Sequence, residues 1–152
     1  MKRCICIVLF ITIFFTSCNK GNVENGVSLN VSSLNTAFSL KLNDVVYSGE
    51  MIIKENNVLK LTFLYPEEVS GLIILADEET ILSTLEGVSL YVSKEGNTVA
   101  QLYEAVALLE KPQSFIKITE GYEFKNDRFT AVLDSQGNLK WLELQRGEFH
   151  FG

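Results

Sequence analysis

Apolar residues recur at every second position over most of this chain, and this period of two constrains the fold more than any other feature. Segments 38–42 and 59–65 show the alternation most clearly. Successive side chains of a strand point to opposite faces, so such segments predict half-buried β-strands. The run Val69–Ala76 is continuously apolar apart from Ser70 and Gly71, which favours a central strand covered on both faces. Gly49, in the middle of another strand pattern, predicts a bulge or bend.

A single segment has helical spacing instead. Thr98 and Gln101 have the spacing of a capping box and Pro112 follows the end, which predicts one helix of about 13 residues. The stripe comprises Val99, Leu102, Tyr103, Val106 and Leu109. We therefore expect a mainly β (α+β) fold, with about nine strands in an antiparallel sheet and one helix that buries its stripe against one face.

The first 17 residues have the pattern of a secretory signal peptide. Lys2 and Arg3 precede the apolar run Cys4–Phe15, which only Thr12 interrupts. The run has 12 residues, whereas a membrane span needs about 20. The pattern predicts export, with residues 1–17 removed.

Thr16 and Ser17, followed at once by Cys18, resemble the lipobox of bacterial lipoproteins. This resemblance implies that the Cys18 sulfur receives a diacylglyceryl group and that cleavage makes Cys18 the lipidated N-terminus. The protein would then be anchored to the extracytoplasmic face of the bacterial cell membrane. The alternative is an ordinary signal peptide cut elsewhere, with Cys18 incidental.

The charge of the chain excludes some partners. Thirteen basic residues stand against 19 acidic ones, a net charge of −6, which argues against nucleic-acid binding. Cleavage after residue 17 removes two basic residues and no acidic one, so the net charge becomes −8. Such a body is repelled by anionic headgroups, so membrane attachment must come from acyl chains.

Residues 18–35 are rich in Asn, Ser and Gly and predict a flexible tether. The alternative is that Val27–Leu34 docks as a first strand or helix. Residues 36–152 then form a single β domain.

Candidate reactive residues are few, and each has a simpler structural interpretation. His150 lies near the C-terminus between Phe149 and Phe151, and we expect it to point outward from a last strand. Asp77–Glu79 predicts a solvated turn rather than a calcium site, and Glu67–Glu68 a solvated loop rather than a glycosidase pair. Cys4 and Cys6 would leave with the signal peptide. We therefore expect no enzyme activity, no cofactor and no metal site.

Two turn motifs resemble those of the LolA and LolB family of lipoprotein carriers. One is the "P-E-x-x-x-G-L" sequence from Pro66 to Leu72, and the other is the hairpin of Asp134, Gly137 and Asn138. The resemblance covers most of residues 36–151. It implies a curved antiparallel sheet or half-barrel with the helix packed on its concave face, which sequesters a lipid or acyl chain.

On this basis we expect an apolar groove between sheet and helix. Its sheet residues would be Phe38, Leu40, Met51, Leu61 and Phe63, and its helix residues Val99, Tyr103 and Val106. The alternative is that these side chains fill a solid core and that the protein is an interaction module that assists another envelope protein. Trp141 would then be a solvent-side aromatic for that partner, or a core residue.

Overall fold

The computed structural model describes residues 22–54 and 57–152, which form one antiparallel sheet of twelve strands and a single α-helix. The predicted signal peptide and Cys18 lie outside these residues. Helix α1 spans Thr98–Leu109. The strands are β1 (Val23–Val27), β2 (Thr36–Leu42), β3 (Val45–Lys54), β4 (Val58–Tyr65), β5 (Ile73–Ala76), β6 (Ile81–Leu85), β7 (Val88–Tyr91), β8 (Gln113–Ile118), β9 (Gly121–Lys125), β10 (Phe129–Leu133), β11 (Leu139–Leu144) and β12 (Gly147–Phe151).

The strand order in the sheet is β1-β8-β9-β10-β11-β12-β2-β3-β4-β5-β6-β7. Most strands pair with the strand next to them in the sequence. In the middle of the sheet β12 pairs with β2, and Phe149 lies opposite Leu40. The sheet is not closed, so β1 and β7 are its two edges. The mainly β, antiparallel prediction with one main helix is confirmed, but the sheet has more strands than the nine expected.

One additional strand lies in the segment predicted to be a tether. Strand β1 pairs with β8, and a short 3₁₀ helix follows at Val31–Leu34. Leu29 and Leu34 are buried in the core. The tether prediction is therefore wrong from Asn22 onward, because these apolar side chains find partners far away in the sequence. The docking alternative for Val27–Leu34 is close to what is observed.

Helix α1 covers one face of the sheet, called here the inner face, and contacts β5 and β11. Its stripe residues Val99, Leu102, Val106 and Leu109 are buried in the same cluster as the inward side chains of the strands. Cross-strand partners share a face, so the register extends this inner face along Leu61, Ile74, Ser83 and Leu90 to the β7 edge. The opposite face is called the outer face.

The N-terminus of α1 is capped by Asn97. The Asn97 side-chain oxygen accepts hydrogen bonds from the backbone N–H groups of Val99, at 2.8 Å, and Ala100, at 3.3 Å. These satisfy two of the helix's unpaired donors. The predicted capping box of Thr98 and Gln101 is replaced by this earlier cap.

Gly49 marks a register shift between β3 and β4, which confirms the predicted bulge. A Cβ atom at this position would lie 2.0 Å from the backbone oxygen of Thr62 and 3.0 Å from the Phe38 ring. Only glycine permits this approach between the strands.

The Val69–Ala76 run does not form a central strand. Only Ile73–Ala76 is extended, as the short strand β5, and it lies third from the β7 edge. A 3₁₀ turn at Glu67–Val69 precedes it. The remaining apolar residues of the run, Val69 and Leu72, instead line a space beside the start of α1.

Candidate apolar pocket

A pocket of about 370 Å³ lies between the inner face of β2–β5 and the start of α1. No wall residue carries a formal charge, and the polar side chains at the helix end are Asn97 and Thr98. The wall residues are Leu40, Leu42, Tyr47, Phe63, Val69, Leu72, Ile74, Gly96, Asn97, Thr98 and Val99.

Gly147, at the start of β12, allows β2 and the start of α1 to lie close together at one side of this pocket. A Cβ atom at position 147 would lie 2.7 Å from Leu42 Cδ2, 3.1 Å from Leu40 Cδ1 and 3.3 Å from Thr98 Cγ2. The absence of a side chain therefore lets the start of α1 sit against the ends of β2 and β12. The aromatic wall is fixed by Tyr47 and Phe63, whose ring centroids are 6.2 Å apart in an edge-to-face arrangement.

The structure brings three of the eight predicted groove residues to this pocket: Leu40, Phe63 and Val99. Tyr103 is half-buried and lines a different cleft. The other four do not line the pocket and are packed in the core with 0–3% of their surface exposed: Phe38, Met51, Leu61 and Val106. For these four the groove prediction is wrong, because their side chains fill the close-packed core and leave no space there.

Several other residues of the pocket wall were not predicted from the sequence. Leu72 and Ile74 belong to the apolar run that was interpreted as a central strand, and Leu42 ends the alternating segment of β2. All three are half-buried. The alternation of apolar residues identified the inner face but did not show where the helix begins. The pocket lies at the N-terminal end of α1, beyond which the helix no longer covers the sheet.

A second, more polar cleft of about 840 Å³ lies along α1 beside the β9–β10 turn and the end of β11. Arg128 Nη1 lies 3.7 Å from Glu104 Oε2 at its edge. The side-chain oxygen of Gln101 is buried in its wall without a hydrogen-bond partner. Burial raises the pKa of the Tyr103 hydroxyl, and the nearby Glu78 carboxylate raises this pKa further. The cleft has opposite charges side by side, so it lacks the uniform apolar wall of the pocket.

His150 lies on the outer face, exposed as expected, while Phe149 and Phe151 are buried. Its Nε2 is 3.0 Å from Glu148 Oε1. The indole Nε1–H of Trp141 donates to the same carboxylate oxygen at 2.6 Å. This indole hydrogen bond, and then the nearby His150, hold the pKa of Glu148 below its ordinary value of 4.5. Trp141 is therefore a half-buried residue of the outer face.

The acidic segments form turns, as predicted. The Asp77 carboxylate accepts hydrogen bonds from the backbone N–H groups of Thr80 and Glu79, which lower its pKa. Glu67 and Glu68 are exposed on the 3₁₀ turn before β5. Within residues 22–54 and 57–152, no three His, Cys, Asp or Glu side chains gather closely enough to hold a metal ion.

No protein-family model, curated protein or solved structure matches this chain. Among the residues that the structure describes, there is no helix with the length and apolar character needed to cross a bilayer.

Proposed function

We propose that this protein is a non-enzymatic cell-envelope lipoprotein that binds a lipid or acyl chain in the apolar pocket. In this proposal Cys18 carries the lipid that anchors it to the extracytoplasmic face of the membrane. The observation that supports ligand binding is the pocket of about 370 Å³ at the start of α1. Small-molecule sites have volumes of roughly 300 to 1,000 Å³ and mostly apolar walls with few polar groups.

The chemistry of the wall favours a hydrocarbon chain as the ligand. Leucine, isoleucine, valine and aromatic side chains supply most of the wall, so a polar group inside would lose its hydration without gaining a charged partner. A charged headgroup would therefore stay outside the pocket.

The same proposal includes a half-barrel shape for the sheet. An unclosed antiparallel sheet with one helix packed over one face is compatible with a half-barrel whose concave side holds the helix. The LolA-like and LolB-like carriers have this plan, and the turns at Pro66–Leu72 and Asp134–Asn138 carry the resemblance.

Two neighbouring residues of β5 provide a matched test. Ile74 lies in the pocket wall, whereas Leu75 is adjacent in the strand and points to the outer face. Both are half-buried. We expect Ile74→Trp to fill the pocket and to weaken binding of the fluorescent fatty acid cis-parinaric acid by about tenfold or more, about 1.4 kcal/mol. Leu75→Trp should leave binding unchanged.

Thermal unfolding of both variants controls for overpacking in the core. Native mass spectrometry of the purified protein should also show a lipid-sized adduct that Ile74→Trp removes. If the unchanged protein binds no fatty acid and carries no adduct, or if both variants bind equally well, lipid binding in this pocket is refuted. The solidly packed core under α1 would then favour an interaction module that assists another envelope protein.

A further inference from the structure

Strand β7 is an edge of the sheet with an unusually apolar exposed surface. All four of its residues are exposed. Val88 is 64% exposed, Leu90 65% and Tyr91 78%, and Val92 directly after the strand is 38% exposed. An exposed apolar edge strand is a template for pairing with another strand.

The turn before β7 determines which of its backbone groups are free. Glu86 and Gly87 have φ angles of 50° and 81°, as in a two-residue turn that closes on the pair Leu85 and Val88. In an antiparallel ladder, hydrogen-bonded and non-hydrogen-bonded pairs alternate. Leu90 therefore also bonds back to β6, and so does Val92, whose N–H donates to the Ile81 oxygen at 2.9 Å.

It follows that the N–H and C=O groups of Ser89 and Tyr91 point away from the sheet. These outward donors and acceptors have the spacing that a further antiparallel strand requires.

The other edge of the sheet carries features that oppose pairing. Strand β1 contains Glu24, which pairs with Lys117 at 3.4 Å. It also has a register shift between Asn25 and Val27, where Gly26 adopts a φ of 82°. Charges and bulges of this kind block edge-to-edge association. From Gly87 to Ser93 the β7 segment has no charged residue, no proline and no bulge.

We propose that β7 pairs with β7 of a second copy of this chain, antiparallel, about a two-fold axis at Leu90. In this register Leu90 lies opposite Leu90 of the second copy, Ser89 opposite Tyr91, and Val88 opposite Val92. The outward groups of Ser89 and Tyr91 then form four hydrogen bonds. The apolar side chains of Val88, Leu90 and Val92 meet their counterparts on the inner face.

Charges at the two ends of β7 favour this antiparallel copy. Glu86 lies at one end and Lys94 just beyond the other. The proposed register brings Glu86 of each copy towards Lys94 of the other, whereas a parallel copy would bring like charges together. Glu95 and, one strand further from the axis, Asp77, Glu78 and Glu79 lie at the Lys94 end and act against this attraction, and the Lys94 ammonium already contacts the Glu78 backbone oxygen.

The chain has a net charge of −6, which opposes self-association elsewhere on its surface. The uncharged segment Gly87–Ser93 allows two copies to pair without a charged side chain directly at the contact. A five-residue edge contact is small, so the dimer belongs to the weak class of interfaces, below about 1,200 Å².

The first test is the mass of the full-length chain in density-matched detergent, measured by sedimentation over a range of concentrations. We expect a monomer–dimer equilibrium. Leu90→Lys places two like charges at the axis and should weaken the dimer by about tenfold or more. The matched control is Val23→Lys on the other edge strand, because Val23 is 61% exposed. This control should leave the equilibrium unchanged.

The second test fixes the register by disulfide formation, in a full-length background with Cys4, Cys6 and Cys18 replaced by serine. Leu90→Cys should give a covalent dimer on mild oxidation, since the two Leu90 residues would form a non-hydrogen-bonded pair, whose Cα atoms lie about 4.5 Å apart. Val88→Cys is the control. Two Val88 residues would lie about 13 Å apart along the strands, beyond the roughly 7 Å that a disulfide spans.

A strictly monomeric unchanged protein overturns the proposal. So does a dimer that Leu90→Lys leaves intact, or equal cross-linking of the two cysteine variants. If the protein is monomeric and Leu90→Cys cross-links in cells to a different envelope protein, the edge belongs to a heterologous strand and self-pairing is again refuted. These outcomes do not depend on fatty-acid binding, which the Ile74→Trp experiment tests separately.

Discussion

The Glu148 carboxylate accepts a hydrogen bond from the Trp141 indole of the neighbouring strand β11, and it lies 3.0 Å from Nε2 of His150 on its own strand β12. Its pKa lies below the ordinary 4.5 because these contacts favour the carboxylate. A lowered carboxyl pKa contributes stability that is fully present above the ordinary value and is lost as the pH falls through the lowered one. The contact therefore weakens only in acid.

We predict that Glu148→Gln reduces the loss of stability below pH 4.5 and removes an acid transition in tryptophan fluorescence. Trp141 is the single tryptophan of the chain, so its emission reports this contact directly. Urea unfolding and emission spectra at pH values from 7 down to 3 provide the measurement.

Glu143 supplies the control because it lies directly opposite Glu148 across β11 and β12 and is exposed. Glu143→Gln should keep the fluorescence transition. An unchanged transition in Glu148→Gln would show that another group controls the Trp141 environment.

Sequence patterns predict side-chain direction better than side-chain partners. The alternation around His150 correctly placed Phe149 and Phe151 inside. It could not decide whether Trp141 was in the core or solvent-exposed, because the answer depends on Glu148 of the next strand. The Asp134 hairpin shows the same limit: its own turn was predicted, but its contact with the Asn30 N–H through the Gly137 oxygen, at 2.8 Å, joins distant segments.

At the level of elements, the docked N-terminal segment makes a clear stability prediction. Leu34 in the 3₁₀ helix is fully buried, so Leu34→Ala should lower the free energy of unfolding by about 2–5 kcal/mol. A residue of a flexible tether would show no such effect.

Val23→Ala in β1 is the control, because Val23 is 61% exposed, and it should change the free energy of unfolding by less than about 0.5 kcal/mol. Urea unfolding monitored by Trp141 fluorescence would measure both values, and equal effects would contradict the docked arrangement.

The elements that the sequence predicted well are those with a local signal. Strands β2 and β4 alternate regularly and α1 has its stripe, so each could be identified without knowing its neighbours. Strand β1 has only Val23 and Val27 as apolar residues, and its stability depends on pairing with β8, about ninety residues later. Strand β5 was misplaced because a continuous apolar run does not show which part of it turns.

For the whole molecule, the proposed function makes membrane anchoring depend on Cys18. We predict that cells grown with radiolabelled palmitate label the unchanged protein and that Cys18→Ala abolishes this label. Cys4→Ala and Cys6→Ala are matched controls, since both precede the proposed cleavage site, and they should keep the label. Persistent labelling of Cys18→Ala would contradict the lipobox interpretation.

The site was harder to predict than the fold, because the pocket depends on how the helix is placed over the whole sheet. Inner-face residues such as Met51 and Leu40 follow the same alternation and both are buried, yet only Leu40 lines the pocket. The difference depends on where α1 begins over the sheet, which Asn97 and Gly147 determine together. No pattern within a single strand contains that information.

The hydrogen bonds that hold the N-terminal segment to the sheet and helix limit how far the domain can lie from Cys18. Asn22, the first residue that the structure describes, accepts a hydrogen bond at its carbonyl from the Lys117 N–H at 2.9 Å, and the Leu29 N–H donates to the Leu109 oxygen at 2.7 Å. Four residues at about 3.6 Å each permit a reach of at most about 14 Å from Cys18 to that point. If Cys18 is acylated, the domain stays beside the headgroups, and cargo would be exchanged at the lipid surface rather than carried away from it.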